Sequence, residues 1–154
     1  MLKRLKNILG IESVKVELEI PQEIEQKDQN IRGEILLTTQ SDAEVESITI
    51  KLIEKYTRGR KENKLIDEYV ISKILVNEQV LISKDEIIRL PFDLPFKIVK
   101  SPMDELEDNN FFNGLIIGLA KKLKGVKSEY RILAEVNIKG TALQPFAEKG
   151  LYFR

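Results

Sequence analysis

The side chains that enzymes most often use for chemistry are missing from this sequence. Its 154 residues include no histidine and no cysteine. Without histidine, the commonest general base near neutral pH and the commonest zinc ligand are absent. Without cysteine, a thiol nucleophile, a thiolate metal site and a disulfide framework are excluded. We therefore predict a protein that is not an enzyme and that uses no cofactor.

One acidic cluster could in principle bind a hard cation, and it consists of Asp104, Glu105, Glu107 and Asp108. Calcium and magnesium prefer carboxylate oxygens, but this spacing lacks the D-x-D-x-D-G loop of an EF-hand. Acidic residues at the start of a helix are also stabilised by the helix dipole, and that role needs no metal. We predict no metal site here.

The charges are balanced, with 25 Lys plus Arg and 25 Asp plus Glu. No field across the whole chain therefore favours nucleic acid, and we predict no nucleic-acid partner. A local basic patch lies in the segment 57–64, at the tip of a predicted hairpin, and consists of Arg58, Arg60, Lys61 and Lys64. A solvated loop explains this patch, and the alternative is a small site for an anion or a phosphopeptide.

The elements that would position these groups are mostly strands. In the stretch 86–96, large apolar side chains alternate with polar residues and prolines, and the apolar set is Ile88, Leu90, Phe92 and Leu94. This period of two puts the apolar set on one face of a strand, which a second sheet must cover. Pro91 and Pro95 lack a ladder donor, so they restrict this strand to an edge, a bulge or a strand end.

The same alternation predicts further strands at 13–20, 31–39, 48–56 and 128–140. We predict that 65–77 is the return strand of the hairpin with its tip at 57–64, and that 80–83 and 151–153 are further short strands. We predict that the strand at 80–83 forms a hairpin with the strand at 86–94, and that Gly33 marks a bulge or a close approach. Alternation with one polar face is typical of antiparallel sheets. We therefore predict an all-β fold, an immunoglobulin-like antiparallel β-sandwich of about eight strands, in a single domain over residues 1–154.

One segment has the period of a helix instead. Its apolar residues are Phe111, Phe112, Leu115, Ile116, Leu119 and Leu123. They predict one inserted amphipathic helix near 102–124, with Pro102 in its first turn and Gly125 after its end. The apolar stripe either covers an open end of the sandwich or docks a partner or a second copy.

The N-terminal segment 1–10 is short, basic and amphipathic, with Leu2 and Leu5 among its apolar residues. It is expected to pack as a terminal turn over the core, or to make weak contact with a membrane surface or a partner. No apolar run approaches the ~20 residues that a membrane span requires. We expect a cytoplasmic protein.

Three stretches and the long hairpin carry a family resemblance. The stretches are P-F-D-L-P at Pro91–Pro95, the opening K-R-L-K-N-I-L-G-I-E, and L-A-E-V-N-I-K-G-T-A-L at Leu133–Leu143. Together they resemble the bacterial sporulation-control proteins with an arrestin-like fold. The resemblance implies an arrestin-like sandwich that acts as a non-catalytic adaptor. Proteins of this family usually carry two sandwiches in tandem, and this chain has residues for one.

The predicted function is protein interaction, either with an unidentified partner or with a second copy of the chain. A partner strand would add to an exposed sheet edge, or a partner would dock on the helix and the basic tip. The candidate binding residues are Leu2, Leu5, Arg58, Arg60, Lys61, Phe111, Phe112, Leu115, Ile116 and Leu119. The alternative is a peripheral membrane protein that uses its basic N-terminal segment.

Overall fold

The computed structural model describes residues 14–59, 64–97, 127–141 and 144–154, and the structural statements below concern those residues. They contain strands, one 3-10 turn at Gln26–Asp28 and no α-helix. The strands are β1 (Val14–Glu19), β2 (Glu23–Ile24), β3 (Asn30–Thr39), β4 (Ala43–Arg58), β5 (Leu65–Val76), β6 (Val80–Ile82), β7 (Ile88–Pro95), β8 (Lys127–Ile138) and β9 (Phe146–Phe153). The all-β prediction is confirmed for this part of the chain.

The strands form two sheets. The smaller sheet has the order β1-β3-β7, and all of its pairs are antiparallel. The larger sheet has the order β2-β9-β8-β4-β5. β8 pairs with one side of β4, while β5 and β6 pair with the other side in succession. β4 is therefore the central strand of the larger sheet.

The two sheets enclose one apolar core. The smaller sheet contributes Val16, Ile31, Ile35, Leu37 and Leu94, and the larger sheet contributes Ile50, Leu52, Ile132, Ala134 and Val136. All of these side chains are buried. Removal of such apolar surface from water is the main favourable term in folding, so the sandwich is stabilised chiefly where the two inner faces meet.

β7 confirms the prediction made from its alternation. Phe92 and Leu94 are buried, and Ile88 and Leu90 are partly buried against the same core. Within the described chain, β7 pairs only with β3, so it is an edge strand. The exposed prolines of β7 therefore interrupt no ladder on its outer side.

Gly33 is a position of close approach, as predicted. A Cβ atom at this position would lie 2.7 Å from the carbonyl oxygen of Glu19, 2.7 Å from Cγ2 of Ile20 and 2.8 Å from Cζ of Phe92. Only glycine leaves room for the aromatic ring here, because real Cβ contacts are longer than these distances.

The predicted hairpin between 80–83 and 86–94 is wrong. β6 pairs with β4 in the larger sheet, whereas β7 pairs with β3 in the smaller sheet. A tight turn does lie between them, with Asp85 at φ 64° and the Glu86 amide donating to the carbonyl of Ser83. The Lys84 amide donates to Asp42 and the Asp85 amide to the carbonyl of Thr39, so contacts with the β3–β4 connection hold the turn where the chain crosses between sheets.

Two further predictions need correction. No strand was predicted between 13–20 and 31–39, but Glu23–Ile24 forms β2, which pairs parallel with β9. The larger sheet is therefore mixed rather than purely antiparallel. The last strand begins at Phe146, five residues before the predicted start. The predicted helix near 102–124 and the amphipathic segment 1–10 lie outside the described residues.

Candidate functional site

The free edge of β5 is the candidate site. β5 pairs with β4 along its whole length, from Ile48↔Val76 to Arg58↔Leu65. No described strand pairs with its opposite side. Such an edge presents unpaired backbone N–H and C=O groups in a row, and these groups can pair with another chain.

A β-bulge divides β5 into two halves. Leu52 faces Ser72 across the ladder, and the next residue of β4, Ile53, faces Val70, so Ile71 has no partner in β4. Leu52 is fully buried in the core, and Ser72 therefore shares the inner face of the sheet. Ile53 and Val70 lie on the outer face, because successive residues of a strand point to opposite faces.

Five large apolar side chains are about half exposed along β5: Leu65, Ile66, Tyr69, Val70 and Leu75. The exposed fractions reach 55% at Val70 and 60% at Leu75. Single exposed apolar residues are ordinary on protein surfaces, but a group of them on one unpaired strand is typical of an interaction surface.

The outer face of β5 also carries two charges of opposite sign. Glu68 faces Lys55 in the ladder and forms an ion pair of 3.1 Å with Nη2 of Arg131. Lys73 faces Lys51, whose ammonium pairs with Glu135 at 3.1 Å. Lys73 itself takes part in none of the ion pairs among the described residues. Like charges directly opposite each other in a ladder are unfavourable, so Lys73 lies in an unfavourable position.

Near the tip of the β4–β5 hairpin, the inner face becomes polar. The hydroxyl of Tyr130 donates a hydrogen bond of 2.9 Å to Oε2 of Glu54. Burial, together with this hydrogen bond and the adjacent negative charge, raises the pKa of Tyr130 to about 12. The ring of Phe153 packs edge-on against Tyr130, with centroids 4.8 Å apart. This phenol is therefore protonated near neutral pH, where it is a hydrogen-bond donor rather than a nucleophile.

A shallow depression beside this region crosses the larger sheet, and charged side chains line much of it: Lys55, Glu68, Lys127, Glu129, Arg131, Glu148 and Lys149. Both signs of charge alternate along it, so it selects no one sign of ligand. Among the described residues, no group of three or more acidic side chains is placed to hold a metal ion. No helix in this part of the chain has the length and apolar character needed to cross a membrane.

The predicted binding residues are mostly outside the described structure. Arg58 is exposed at the end of β4, beside the hairpin tip, as the sequence predicts. The others lie outside the described residues: Leu2, Leu5, Arg60, Lys61, Phe111, Phe112, Leu115, Ile116 and Leu119.

Sequence reasoning missed the apolar residues of β5. A signal was present, because the run L-I-D-E-Y-V-I-S-K-I-L-V places apolar residues at both odd and even positions. A strand with one polar face lacks that pattern. Such a pattern is typical of a strand covered on both faces, and here the second face is left open.

Comparisons with known proteins agree with this architecture. The model of the SpoOM protein family matches residues 2–118. Among solved structures, 141 chains match, including Spo0M, a sporulation control protein from Bacillus subtilis, with a TM-score of 0.65 and 11% sequence identity. The match covers 94% of this chain and 50% of that chain, so this chain spans half the length of the B. subtilis protein. At such low identity, the likeness shows the fold alone. No curated protein sequence matches this chain.

Proposed function

This chain belongs to the SpoOM protein family, and we propose that it is a non-catalytic protein-interaction module that binds through the free edge of β5. An extended segment of a partner would add to the larger sheet as a further strand. In this mode of recognition, main-chain hydrogen bonds supply affinity and the side chains beside them supply specificity. The proposal also includes two predictions made from the sequence: that the sandwich is of the immunoglobulin type and that the chain acts as an adaptor.

One observation carries the proposal: the unpaired edge of β5 is twelve residues long and has half-exposed apolar side chains along it. Burial of this surface by a partner would add an apolar contribution to the main-chain hydrogen bonds. The edge is also within reach, since the pairing of β5 with β4 leaves its other side open in the described structure.

The other sheet edges are poorer candidates. β7 carries Pro91 and Pro95, which have no N–H to donate to an added strand. On β1 the exposed side chains are all charged, and Lys15 pairs with Glu17 at 2.9 Å. Charged residues and prolines are the devices by which proteins protect sheet edges from pairing. β2 is only two residues long.

A non-catalytic role is supported by the chemistry available. The sequence has neither histidine nor cysteine, and the one strongly perturbed phenol, Tyr130, is held in its protonated form. General base and nucleophilic catalysis need a group whose pKa lies near the working pH or is lowered toward it. The shift at Tyr130 has the opposite direction.

A binding experiment with matched variants tests the proposal. The tagged chain is used to capture proteins from its native cell extract, and hydrogen exchange is then measured on the purified complex. We expect a stoichiometric partner, which includes a second copy of the chain, and slower exchange of amides in the segment 65–76. Val70→Lys combined with Leu75→Lys should abolish binding, because it places charge on the apolar edge.

The matched control is Leu81→Lys in β6, where the leucine is 74% exposed and lies outside β5. This variant should bind as the wild type does. Complex formation that survives the β5 double substitution, or protection confined to residues outside 65–76, would contradict the proposal.

A further inference from the structure

We propose that the strand added to β5 is β5 of a second copy of this chain. The two copies would pair antiparallel about a two-fold axis and join their larger sheets into one continuous sheet. This inference rests on the proposed function, because it names the partner for the same edge. A two-fold interface requires a self-complementary surface, and β5 meets that requirement in both its charges and its apolar residues.

The bulge decides which residues share a face. Ile66 and Glu68 precede it and face Thr57 and Lys55 of β4. Lys73 and Leu75 follow it, and they face Lys51 and Thr49. The four β4 residues are separated by even numbers of positions, so they lie on one face of the sheet. The four β5 residues face those four β4 residues, so they also share the outer face. The extra residue Ile71 makes this possible, because without it the residues after the bulge would be on the opposite face.

Antiparallel pairing of two β5 strands can then place apolar residues opposite apolar residues and acidic residues opposite basic ones. If Glu68 of one copy lies opposite Lys73 of the other, each step forward on one strand is a step back on its partner. Ile66 therefore lies opposite Leu75. The two-fold axis repeats both pairs, so the interface contains two Glu–Lys pairs and two apolar pairs on its outer face. Each kind of cross-strand pair stabilises a sheet.

Neighbouring registers lack this match. A shift of two residues keeps the faces aligned, but it places Glu68 opposite Ile71 or Leu75. The same shifts place Lys73 opposite Ile66 or Val70. Among these face-matched registers, only the first brings opposite charges together.

The pairing also relieves an unfavourable contact within each copy. Lys73 faces Lys51 in the ladder, and the acid that neutralises Lys51 is Glu135 on β8. Glu68 of the second copy would supply an acid on the open side of Lys73. Its ion pair with Arg131 uses Oε1. Oε2 of Glu68 in one copy can therefore accept a hydrogen bond from the Lys73 ammonium of the other copy.

A charge-exchange experiment on the full chain tests the inference, with sedimentation equilibrium as the readout. We expect the wild type to form dimers. Glu68→Lys places two lysines opposite each other, and Lys73→Glu places two glutamates opposite each other, so each variant alone should raise the dimer Kd by about tenfold or more. When the two variants are mixed, both cross-strand pairs are again Glu–Lys, and mixed dimers should form with an affinity close to that of the wild type.

Circular dichroism of each variant shows whether it is folded, and the mixture itself is a second safeguard, since unfolded variants would not restore dimers. A wild type that stays monomeric would overturn the inference, as would single variants that dimerise like the wild type. A mixture of two folded variants that fails to restore dimers would also overturn it.

Cysteine cross-linking locates the contact, because the natural chain contains no cysteine. A mixture of Ile66→Cys and Leu75→Cys copies should form a disulfide-linked pair, since residues directly opposite in antiparallel strands have the Cα separation that a disulfide requires. Neither variant alone should do so, and Leu81→Cys mixed with Ile66→Cys is the matched control. Equal cross-linking in the control would overturn the inference.

Failure of the β5–β5 dimer can be distinguished from failure of the proposed function. A monomeric chain that binds a different protein through residues 65–76 would contradict the β5–β5 dimer and support the proposed function. A chain for which no protein protects residues 65–76 would contradict both.

Discussion

The hydroxyl of Tyr130 in β8 donates a 2.9 Å hydrogen bond to Oε2 of Glu54 in β4. Partial burial favours the neutral phenol, and the nearby carboxylate disfavours the phenolate, so the pKa of Tyr130 rises from 10.0 to about 12. A folded-state pKa above the unfolded value favours the native state only while the group is protonated. This contribution to stability is therefore complete below about pH 10 and is lost between about pH 10 and pH 12.

Substitution of Tyr130 by Phe should remove this behaviour. The chain has four tyrosines. In a titration followed by tyrosinate absorbance, we expect the wild type to show one transition near pH 12, and we expect this transition to be absent in Tyr130→Phe. The free energy of unfolding of the variant should also fall less steeply than that of the wild type between about pH 10 and pH 12.

The control is Tyr152→Phe, because Tyr152 is 64% exposed. That variant should keep the transition near pH 12. Retention of the transition in Tyr130→Phe, or its loss in Tyr152→Phe, would show that the raised pKa belongs to another residue.

The ion pair between Lys51 and Glu135 should contribute measurably to stability. Its two side chains are 26% and 30% exposed, and its atoms lie 3.1 Å apart across the β4–β8 ladder. A double-mutant cycle with Lys51→Met and Glu135→Gln should give a coupling energy of about 0.5–1 kcal/mol, which decreases as salt is added.

The exposed pair Lys15–Glu17 on β1 is the control, with side chains 73% and 53% exposed. Its coupling energy should be close to zero, because water and salt screen exposed charges. Equal coupling energies for the two pairs would show that burial does not determine the strength of these ion pairs.

The strands themselves could be predicted from the sequence. Val14–Glu19 and Ile88–Pro95 each have one face on the core and one in water, and a period of two is the direct consequence of that environment. The prolines of β7 narrowed its position to an edge, a bulge or a strand end, because Pro91 and Pro95 lack a ladder donor, and in the described structure β7 is an edge strand.

The partners of the strands could not be predicted in the same way. The turn at Lys84 and Asp85 has the same local chemistry whether the chain makes a hairpin or crosses between sheets, and its outcome depends on contacts with Thr39 and Asp42. The free edge of β5 was hidden for a related reason. Its apolar residues are visible in the sequence, but only the topology shows that no described strand covers them.

Shortening a buried apolar side chain of β7 should lower the stability of the fold. Leu94 is fully buried between the sheets. Leu94→Ala should lower the free energy of unfolding by about 2–5 kcal/mol, because it removes apolar contacts and leaves a cavity. Chemical denaturation measures this change.

The matched control is Leu81→Ala, the same substitution at a side chain that is 74% exposed. It should change the free energy of unfolding by less than about 0.5 kcal/mol. If both substitutions had similar effects, the β7 side chains would not form part of the core.

The close approach at Gly33 gives the sharpest steric test. A methyl group at this position would lie 2.7 Å from the Glu19 carbonyl oxygen and 2.8 Å from the ring of Phe92. Gly33→Ala should therefore force β3 away from its neighbours and lower the free energy of unfolding by about 1–3 kcal/mol.

Gly150 in β9 provides the comparison that separates steric overlap from any general effect of losing a glycine. A methyl group there would meet its nearest neighbour, the carbonyl oxygen of Tyr130, at 3.8 Å, which is an ordinary van der Waals contact. Gly150→Ala should leave stability within about 0.5 kcal/mol of the wild type or raise it slightly, because alanine restricts the unfolded chain. The gap between the two variants in chemical denaturation measures the overlap at Gly33, and equal stabilities would mean that β3 and β7 are not packed as closely as this structure has them.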